Sequence, residues 1–422
     1  MDFDRHPCFN AGLRHSTGRI HLPVAKTCNI QCNFCNRRYD CVNESRPGLT
    51  SAVLSPFQAL DYLGAVLQKI DNISVVGIAG PGDPFADGEL TLSTMNMVHE
   101  RYPDKLLCVA TNGLALAAYA ERLAELGVSH VTITCNAADP EIGGKIYAWV
   151  RYGPRVYRGR EGAALLLERQ IEGVKILKSL GITVKINTVI VPGLNEAQAI
   201  QVAEIMAGLG ADIQNCVPMI PVAETPFEAL GSPGAGLMTG LRLEAGKYLK
   251  QMSHCGRCRS DAAGLIGDQN QAGIAGLLEE AGTVKPSAGR PCVAAASREG
   301  LFVNCHLGEA SSFHIFALEH GRPVLREQRP APAPGTGEAR WEALADTLDD
   351  CFAILCGDCG ESPRRILEKR GFALVRGEGL IRDIAGFVLK GKKVPNIYQV
   401  KPGRRGAGEG CAGYGAGDGC GA

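Results

Sequence analysis

The feature of this sequence that most restricts its fold is a regular alternation of apolar β-type runs and helical segments. Apolar runs lie at 73–79, 106–110, 130–135, 184–191 and 213–219, and one more is expected near 20–24. Between them, 60–70, 115–126, 163–180 and 197–209 carry apolar residues at helical spacing. Repeated βα units of this kind form a parallel sheet. The sequence therefore predicts an α/β fold with about six parallel strands, open or closed into a partial barrel.

The alternation stops after Gly231, which divides the chain into segments of different composition. We expect the first domain to span 1–263 and a Gly- and Ala-rich linker to span 264–290. Short β-like runs and one helix then predict a small α/β domain over 291–400. The tail at 401–422 is rich in Gly and lacks core-forming residues, so we expect it to be disordered.

Charge and cysteine content narrow the classes of function. Lys and Arg together number 44, as do Asp and Glu, so no overall basic field favours nucleic acid or a membrane surface as a partner. The sequence has no apolar run of the roughly 18 residues that a membrane helix needs and no leader-like start, so we expect a cytoplasmic protein. Seventeen cysteines in a reducing compartment indicate metal or redox chemistry rather than disulfides.

The strongest chemical signal is the motif Cys28-x3-Cys32-x2-Cys35, in the loop after the first expected strand. Three thiolates leave one iron of a 4Fe–4S cube without a protein ligand, and an open iron can bind a substrate or a cofactor. A zinc site with His21 or Cys41 as its fourth ligand is the alternative, although it does not account for the βα pattern.

A second motif, Gly80-Pro81-Gly82-Asp83, follows the strand expected at 73–79. It lies at the end of the strand where βα barrels carry their sites. Glycines there allow a polar ligand to approach the backbone closely, although a Gly/Pro turn by itself is only a turn in most proteins.

The three-cysteine spacing, with an aromatic residue before the last Cys, resembles the radical S-adenosylmethionine superfamily, whose members bind the cofactor at the open iron. Longer stretches resemble the NifB family of nitrogenase cofactor maturases more narrowly. These stretches are His6-Pro-Cys8, 28–41, 43–48, 75–84, Thr111-Asn-Gly113 and 254–262. The resemblance implies a radical S-adenosylmethionine partial (βα)6 TIM-type barrel. It also implies an enzyme that fuses two 4Fe–4S clusters with an added sulfide and a carbide derived from S-adenosylmethionine, giving an 8Fe-9S-C product.

The resemblance also implies roles for individual residues. Gly82, Thr134 and Ile146 would contact S-adenosylmethionine, and His21 would bind a substrate cluster and take part in proton transfer. Independently of the resemblance, Glu44 is a carboxylate close to Cys41, which indicates a proton acceptor or a transient iron ligand, with a solvated loop acid as the alternative. Five further thiols would bind the two substrate clusters, those of Cys8, Cys41, Cys108, Cys255 and Cys258.

The second domain resembles the NifX/NafY-like cofactor-carrier domain, which has an RNase H-like α/β fold. The likeness is carried by 293–302, 306–310 and 360–365. It implies that the domain holds or hands over the product. Expected partners are iron–sulfur cluster donors, cofactor carrier and scaffold proteins and an electron donor. Whether Cys305, His306, Cys356 and Cys359 bind a metal stays open.

Two other functions fit parts of the sequence. A radical enzyme with auxiliary clusters could modify a peptide or insert sulfur, but it would not require His21, Cys8 and Cys41 around the radical motif. A non-enzymatic iron–sulfur scaffold or carrier would account for the cysteines and the second domain without S-adenosylmethionine.

Overall fold

A seven-stranded sheet forms the centre of the first of two units in this chain. The computed structural model describes residues 5–43, 48, 50, 52–256, 258–267, 272–286, 289–335 and 337–399. Its contacts divide the chain into Met1–Thr283 and Val284–Ala422. Each unit is described by itself below.

The first unit alternates strands and helices along most of its length. Its strands are β1 Gly18–His21, β2 Ile30–Cys32, β3 Ile73–Ile78, β4 Leu106–Thr111, β5 Val128–Thr134, β6 Tyr147–Tyr152, β7 Arg155–Tyr157, β8 Thr183–Ile190, β9 Ile213–Pro218 and β10 Ala263–Gly264. Its helices are α1 Pro56–Leu67, α2 Gly88–Arg101, α3 Ala120–Glu125, α4 Pro140–Ile146, α5 Gly159–Ser179, α6 Glu196–Gly208, α7 Ala235–Ala245 and α8 Ala272–Gly282.

The sheet runs in the order β10-β1-β3-β4-β5-β8-β9, and all its neighbours pair in parallel except β10. It curls into a half-barrel, which confirms the predicted fold class with six parallel strands. Because strands joined by helical crossovers all point the same way, their carboxyl ends meet at one rim of the sheet.

Helix α1 illustrates how the outer layer forms. The Ser55 side chain accepts from the backbone of Gln58, and the Gln58 side chain accepts from the backbone of Ser55, so a capping box starts the helix at Pro56. Ala59, Tyr62, Leu63 and Val66 recur at helical spacing and are buried in the core. Each large apolar side chain buried in this way contributes about 1.5–3 kcal/mol.

Three features of the first unit go beyond the sequence predictions. Helix α2 was not predicted, since its Gly-, Thr- and Ser-containing sequence has a weak apolar stripe. A small antiparallel sheet, β2-β6-β7, lies beside the main sheet. The segment predicted as a linker contains α8, whose Ile274 and Leu278 are buried in the core of the first unit, so this segment carries structure.

The second unit contains a five-stranded sheet in the order β14-β13-β11-β15-β16. The strands β11, β15 and β16 are parallel, whereas β13 is antiparallel to both of its neighbours. Buried apolar clusters lie on both faces, as expected of the predicted small α/β domain. Its elements are β11 Cys292–Ala296, β12 Phe302–Val303, β13 Ser312–Glu319, β14 Arg322–Pro330, α9 Glu338–Thr347, β15 Cys351–Cys356, α10 Glu361–Lys369, β16 Ala373–Arg376, β17 Gly379–Leu380 and α11 Ile381–Leu389. The tail predicted to be disordered, 401–422, lies outside the described residues.

Candidate functional site

The loop with the three predicted cluster ligands is held by the small sheet. Cys32 ends β2 and pairs with Tyr147 of β6. The amide of Asn33 donates to the Ile146 carbonyl at 2.8 Å, and the amide of Cys35 donates to the Cys32 carbonyl at 3.0 Å. The spacing of the three thiols is therefore set by backbone hydrogen bonds.

The electrostatics of this loop suit a bound cationic iron group. Burial raises the pKa of Cys28, Cys32 and Cys35, so the thiols need a compensating positive charge to ionise. Arg37 provides part of that charge beside Cys28 and Cys35. The described residues contain no cluster of three or more His, Cys, Asp or Glu close enough for a single ion. Three soft thiol donors on one loop fit a 4Fe–4S cube with one open iron.

The Gly-Pro-Gly-Asp turn lies against the chain that leads into the three-thiol loop. The Gly82 amide donates to the Ala25 carbonyl at 2.6 Å, and the Asp83 amide donates to the Thr27 carbonyl at 2.7 Å. A Cβ atom on Gly82 would lie 2.0 Å from the Thr27 carbonyl oxygen. Only glycine fits at this position, because any side chain would push the turn off the segment that precedes Cys28.

Asp83 links this turn to the end of β4. Its buried carboxylate accepts from the Thr111 hydroxyl at 2.9 Å, from the Asn112 amide at 2.6 Å and from the Phe85 amide at 2.9 Å. These bonds occupy the carboxylate inside the protein. They hold the Gly-Pro-Gly-Asp turn, which resembles the family's cofactor-binding turn, against the end of β4.

Thr134 and Ile146 are the other two residues predicted to contact S-adenosylmethionine. Thr134 lies at the end of β5, and Ile146 lies beside the three-thiol loop. Thr134 is the last residue of β5, is buried, and accepts at its carbonyl from Gln170 at 2.8 Å. Ile146 ends α4 and is fully buried in the apolar cluster that contains Cys32 and Cys35. Neither residue belongs to the cavity described next.

A cavity of about 70 Å³, partly open to solvent, is lined by residues from the six parallel strands and from loops of the first unit. We call it the thiol-lined cavity. It brings together five residues predicted as substrate-cluster ligands from widely separated parts of the chain. These residues are Cys8, His21, Cys108, Cys255 and Cys258. Polar and charged residues also line the cavity, among them His6, Asn43, Lys185, Asn187 and Asn215.

His21 presents a neutral imidazole to this cavity. Its Nδ1 atom lies 3.0 Å from the Arg259 carbonyl, which can only accept, so the proton resides on Nδ1. Burial, and then the charge of Arg19, lowers the pKa of His21 to about 4. The lone pair on Nε2 is therefore available to a metal at neutral pH.

The thiols of the cavity lie close to positive charge. The Arg19 guanidinium donates to the Cys258 sulfur and, at 2.7 Å, to the Leu265 carbonyl. Burial raises the pKa of Cys8 to about 11 and that of Cys108 to about 12. Arg19 and Lys185 oppose this effect at both thiols. A bound iron cluster would complete the ionisation.

One hydrogen bond joins the segment that carries Cys8 to the loop that carries Cys255 and Cys258. His254 is buried, and its Nε2 donates to the Pro7 carbonyl at 2.9 Å. Phe9 and Met252 pack together beside this bond. The N-terminal segment and the loop after α7 are thereby held on the same cavity.

Two predicted site residues lie elsewhere. Cys41 does not line the thiol-lined cavity, and its amide donates to the Pro81 carbonyl at 3.1 Å, beside the glycine turn. Glu44 lies outside the described residues. Their predicted roles stay predictions.

The sequence reasoning missed several polar residues at the site. Lys185 is the one charged residue of the largely buried strand β8, and its ammonium is 5.6 Å from the centre of the Phe9 ring. A charged residue inside a buried strand was a usable signal. Asn43 and Asn112 stand in the quoted family motifs, and their amides donate to cluster-ligand sulfurs, but nothing in the local pattern indicated this.

The open question of a metal site in the second unit receives no support. Cys305, Cys356 and Cys359 are buried, and the sulfurs of Cys305 and Cys359 donate to the carbonyls of His306 and Gly360 at 3.4 and 3.3 Å. Among the described residues they form no group suited to a single metal ion. These cysteines pack as small apolar side chains.

Two protein-family models match the chain. The model of the Radical SAM superfamily matches residues 22–206. The model described as Dinitrogenase iron-molybdenum cofactor matches residues 289–391. Together with the half-barrel and the three-thiol loop, they define a radical S-adenosylmethionine protein with an added C-terminal domain, whose cofactors are a 4Fe–4S cluster and S-adenosylmethionine.

Curated relatives narrow this class. The FeMo cofactor biosynthesis protein NifB of Chlorobaculum tepidum is 49% identical over 97% of this chain and 99% of its own length. The protein of the same name from Klebsiella pneumoniae is 38% identical over 87% of this chain and 86% of its own length. This chain belongs to the NifB family.

Among solved structures, the chain is matched to that of Streptococcus suis SuiB bound to S-adenosylmethionine. It is 17% identical, with a TM-score of 0.40, over 58% of this chain and 53% of that one.

Within the described residues, every helix is too short or too polar to cross a membrane.

Proposed function

We propose that this chain is a maturase in FeMo cofactor biosynthesis, an iron–sulfur cluster carbide synthase of the lyase or transferase type. Its reaction would fuse two 4Fe–4S clusters, with a carbide from S-adenosylmethionine and an extra sulfide, into an 8Fe-9S-C product. The observation that carries the proposal is the thiol-lined cavity, in which five predicted cluster ligands meet. Relatives that are named for FeMo cofactor biosynthesis support it.

The resident cofactors are assigned to the three-thiol loop. Cys28, Cys32 and Cys35 would hold the 4Fe–4S cluster, which together with S-adenosylmethionine supplies methyl-transfer and radical chemistry when bound. Gly82, which packs against the segment that precedes Cys28, is our candidate for a contact with S-adenosylmethionine beside this loop. Thr134 and Ile146 are our candidates for further contacts with the nucleoside.

The substrate clusters are assigned to the thiol-lined cavity. Cys8, Cys108, Cys255 and Cys258 provide sulfur donors, while His21 provides nitrogen from Nε2. A neutral imidazole binds iron and releases it when protonated, which suits a site whose product must leave. Cys41, beside the glycine turn, would bind a cluster between the two sites.

Charge and proton transfer complete the assignment. Arg19 and Lys185 place positive charge around thiols that would otherwise stay protonated in a buried site. Glu44, close in sequence to Cys41, is our candidate for a proton acceptor or a transient iron ligand. His21 is the second candidate for proton transfer.

We assign the second unit to holding the product or handing it over. Its match to the Dinitrogenase iron-molybdenum cofactor family supports this role. The partners that follow are cluster donors, carrier and scaffold proteins of the nitrogenase cofactor and an electron donor.

The test is anaerobic reconstitution followed by reduction with S-adenosylmethionine present. We expect about 12 iron atoms per chain, which corresponds to three cubes, and formation of both 5′-deoxyadenosine and S-adenosylhomocysteine. A scaffold or carrier would form neither nucleoside. An enzyme that modifies a peptide or inserts sulfur would form 5′-deoxyadenosine without the 8Fe product. Either result would overturn the proposal.

A further inference from the structure

We infer that the side-chain amides of Asn43 and Asn112 are positioning groups that set the reduction potential of the radical-generating cluster. Each amide donates to the sulfur of a different cluster ligand. The inference rests on the proposed function, in which Cys28 and Cys32 hold that cluster, and it adds two residues to which that proposal gives no role.

The contacts themselves are specific. The Nδ2 atom of Asn43 lies 3.7 Å from the Cys32 sulfur, and the Nδ2 atom of Asn112 lies 3.7 Å from the Cys28 sulfur. Both asparagines are buried, with 6% and 5% of their surface exposed. Asn33, in the same loop, instead donates to the Lys145 carbonyl at 2.8 Å.

Backbone groups determine which end of the Asn112 amide faces the sulfur. Its Oδ1 atom accepts from the Leu114 amide at 2.9 Å, so Oδ1 is identified by a group that can only donate. The NH2 group must therefore be the end that faces Cys28. The same NH2 group donates to Asn29 at 2.6 Å, which holds it in place.

The orientation of Asn43 follows from a chain of amides. The Val189 amide donates to Asn136 Oδ1 at 2.8 Å, which leaves the Asn136 NH2 group to donate to Asn43 Oδ1 at 3.2 Å. The NH2 group of Asn43 consequently faces Cys32. The Asn43 carbonyl also accepts from Asn187 at 3.3 Å, and both residues line the thiol-lined cavity. Asn43 thus lies between the three-thiol loop and the proposed substrate site.

The physical effect of these bonds has a definite sign. An N–H group that points at a thiolate stabilises negative charge on the sulfur, and a buried setting strengthens the interaction. Reduction adds negative charge to a cluster, so these hydrogen bonds favour the reduced form and raise the potential. Both amides would therefore ease uptake of an electron by the cluster and lower the driving force for passing it on to the sulfonium cofactor.

The experiment compares the wild-type chain with Asn43→Ala, Asn112→Ala and the matched control Asn33→Ala. Each chain is reconstituted anaerobically and titrated with reductant at controlled potentials. The radical-generating cluster is followed by the electron paramagnetic resonance signal that changes when S-adenosylmethionine is added. We expect the ratio of reduced to oxidised cluster at a fixed potential to fall about tenfold in Asn43→Ala and in Asn112→Ala, a shift of about 59 mV to lower potential. Asn33→Ala should match the wild type.

Unchanged midpoint potentials in Asn43→Ala and Asn112→Ala would overturn the inference while the proposed function stands. A wild-type chain without a signal that responds to S-adenosylmethionine would instead overturn the proposed function. If an alanine variant assembles no cluster, Asn43→Leu or Asn112→Leu takes its place, since leucine is close to asparagine in size, carries no charge and has no donor. Loss of the cluster in the leucine variant as well would assign the amide a structural role only and reject the inference.

Discussion

His21 and Cys108 face the thiol-lined cavity from either side of Gly77. Gly77 of β3 pairs with His21 of β1 on one side and with Cys108 of β4 on the other. A Cβ atom on Gly77 would lie 2.7 Å from the Cys108 sulfur and 3.3 Å from His21 Cδ2. The missing side chain leaves the His21 imidazole and the Cys108 sulfur close together across three strands, as one substrate cluster bound to both would require.

This relationship predicts that Gly77→Ala disturbs the substrate site and spares the radical-generating site. The new methyl group must displace the Cys108 sulfur, because 2.7 Å is too short for such a contact. We expect iron after reconstitution to fall from about 12 to about 8 atoms per chain, as one cube is lost. Cleavage of S-adenosylmethionine should persist.

The control for this variant is Gly208→Ala, at the end of α6, where a Cβ atom meets no atom within 4 Å. It should bind as much iron as the wild type. Full iron content in Gly77→Ala would separate His21 and Cys108 from a shared cluster.

Cys32→Ala should abolish cleavage of S-adenosylmethionine. The variant removes one of three ligands from the radical-generating cluster, and the two thiols that remain cannot hold a stable cube. The measurement is 5′-deoxyadenosine after anaerobic reduction. Cys135→Ala is the matched control, since Cys135 is a fully buried core cysteine that follows β5 of the main sheet and is not in the three-thiol loop. Cleavage at the wild-type rate by Cys32→Ala would remove Cys32 from the cluster.

His21→Ala should leave cleavage measurable and block the 8Fe product. The imidazole is a donor in the thiol-lined cavity and is not part of the three-thiol loop, so its loss affects the substrate clusters alone. Product is measured by spectroscopy of the released cluster. His15→Ala, at an exposed position, serves as the control. Normal product from His21→Ala would exclude that residue from the mechanism.

The depressed pKa of His21 predicts a pH dependence of stability for the metal-free chain. In the unfolded chain His21 takes up a proton below about pH 6.5, whereas in the folded chain its pKa is about 4. Its contribution to stability is complete above pH 6.5 and is lost as the pH falls towards 4. Between pH 7 and pH 5, the free energy of unfolding of the wild type should drop about 1–2 kcal/mol more than that of His21→Gln. Urea titrations at both pH values measure this difference, and equal losses would contradict the depressed pKa.

Removal of residues 284–422 should spare cluster chemistry and weaken transfer of the product. The deletion follows the boundary between the two units, and α8 stays with the core it packs against. We expect 5′-deoxyadenosine formation close to that of the full chain and slower delivery of product to a carrier protein. Loss of cluster fusion in the shortened chain would show that the second unit takes part in the chemistry.

The half-barrel and the three-thiol loop could be predicted from the sequence because both depend on local spacing. Apolar runs separated by helical segments specify parallel strands, and three cysteines within eight residues are close in any fold. The resemblance to the NifB family likewise supplied the candidate ligands, including His21. Helix α2 and the small sheet escaped because their patterns are weak over short lengths.

Only the tertiary structure decided which of the ligands meet. Cys8, Cys108 and Cys258 are far apart in sequence and line one cavity. Strand register and the hydrogen bond between His254 and the Pro7 carbonyl bring them there. Cys41 lies beside Pro81 instead. The tautomer of His21 and the amide donors at the cluster sulfurs also depend on partners from distant segments. Such contacts follow from how the chain packs on itself, and no short-range pattern of residues encodes them.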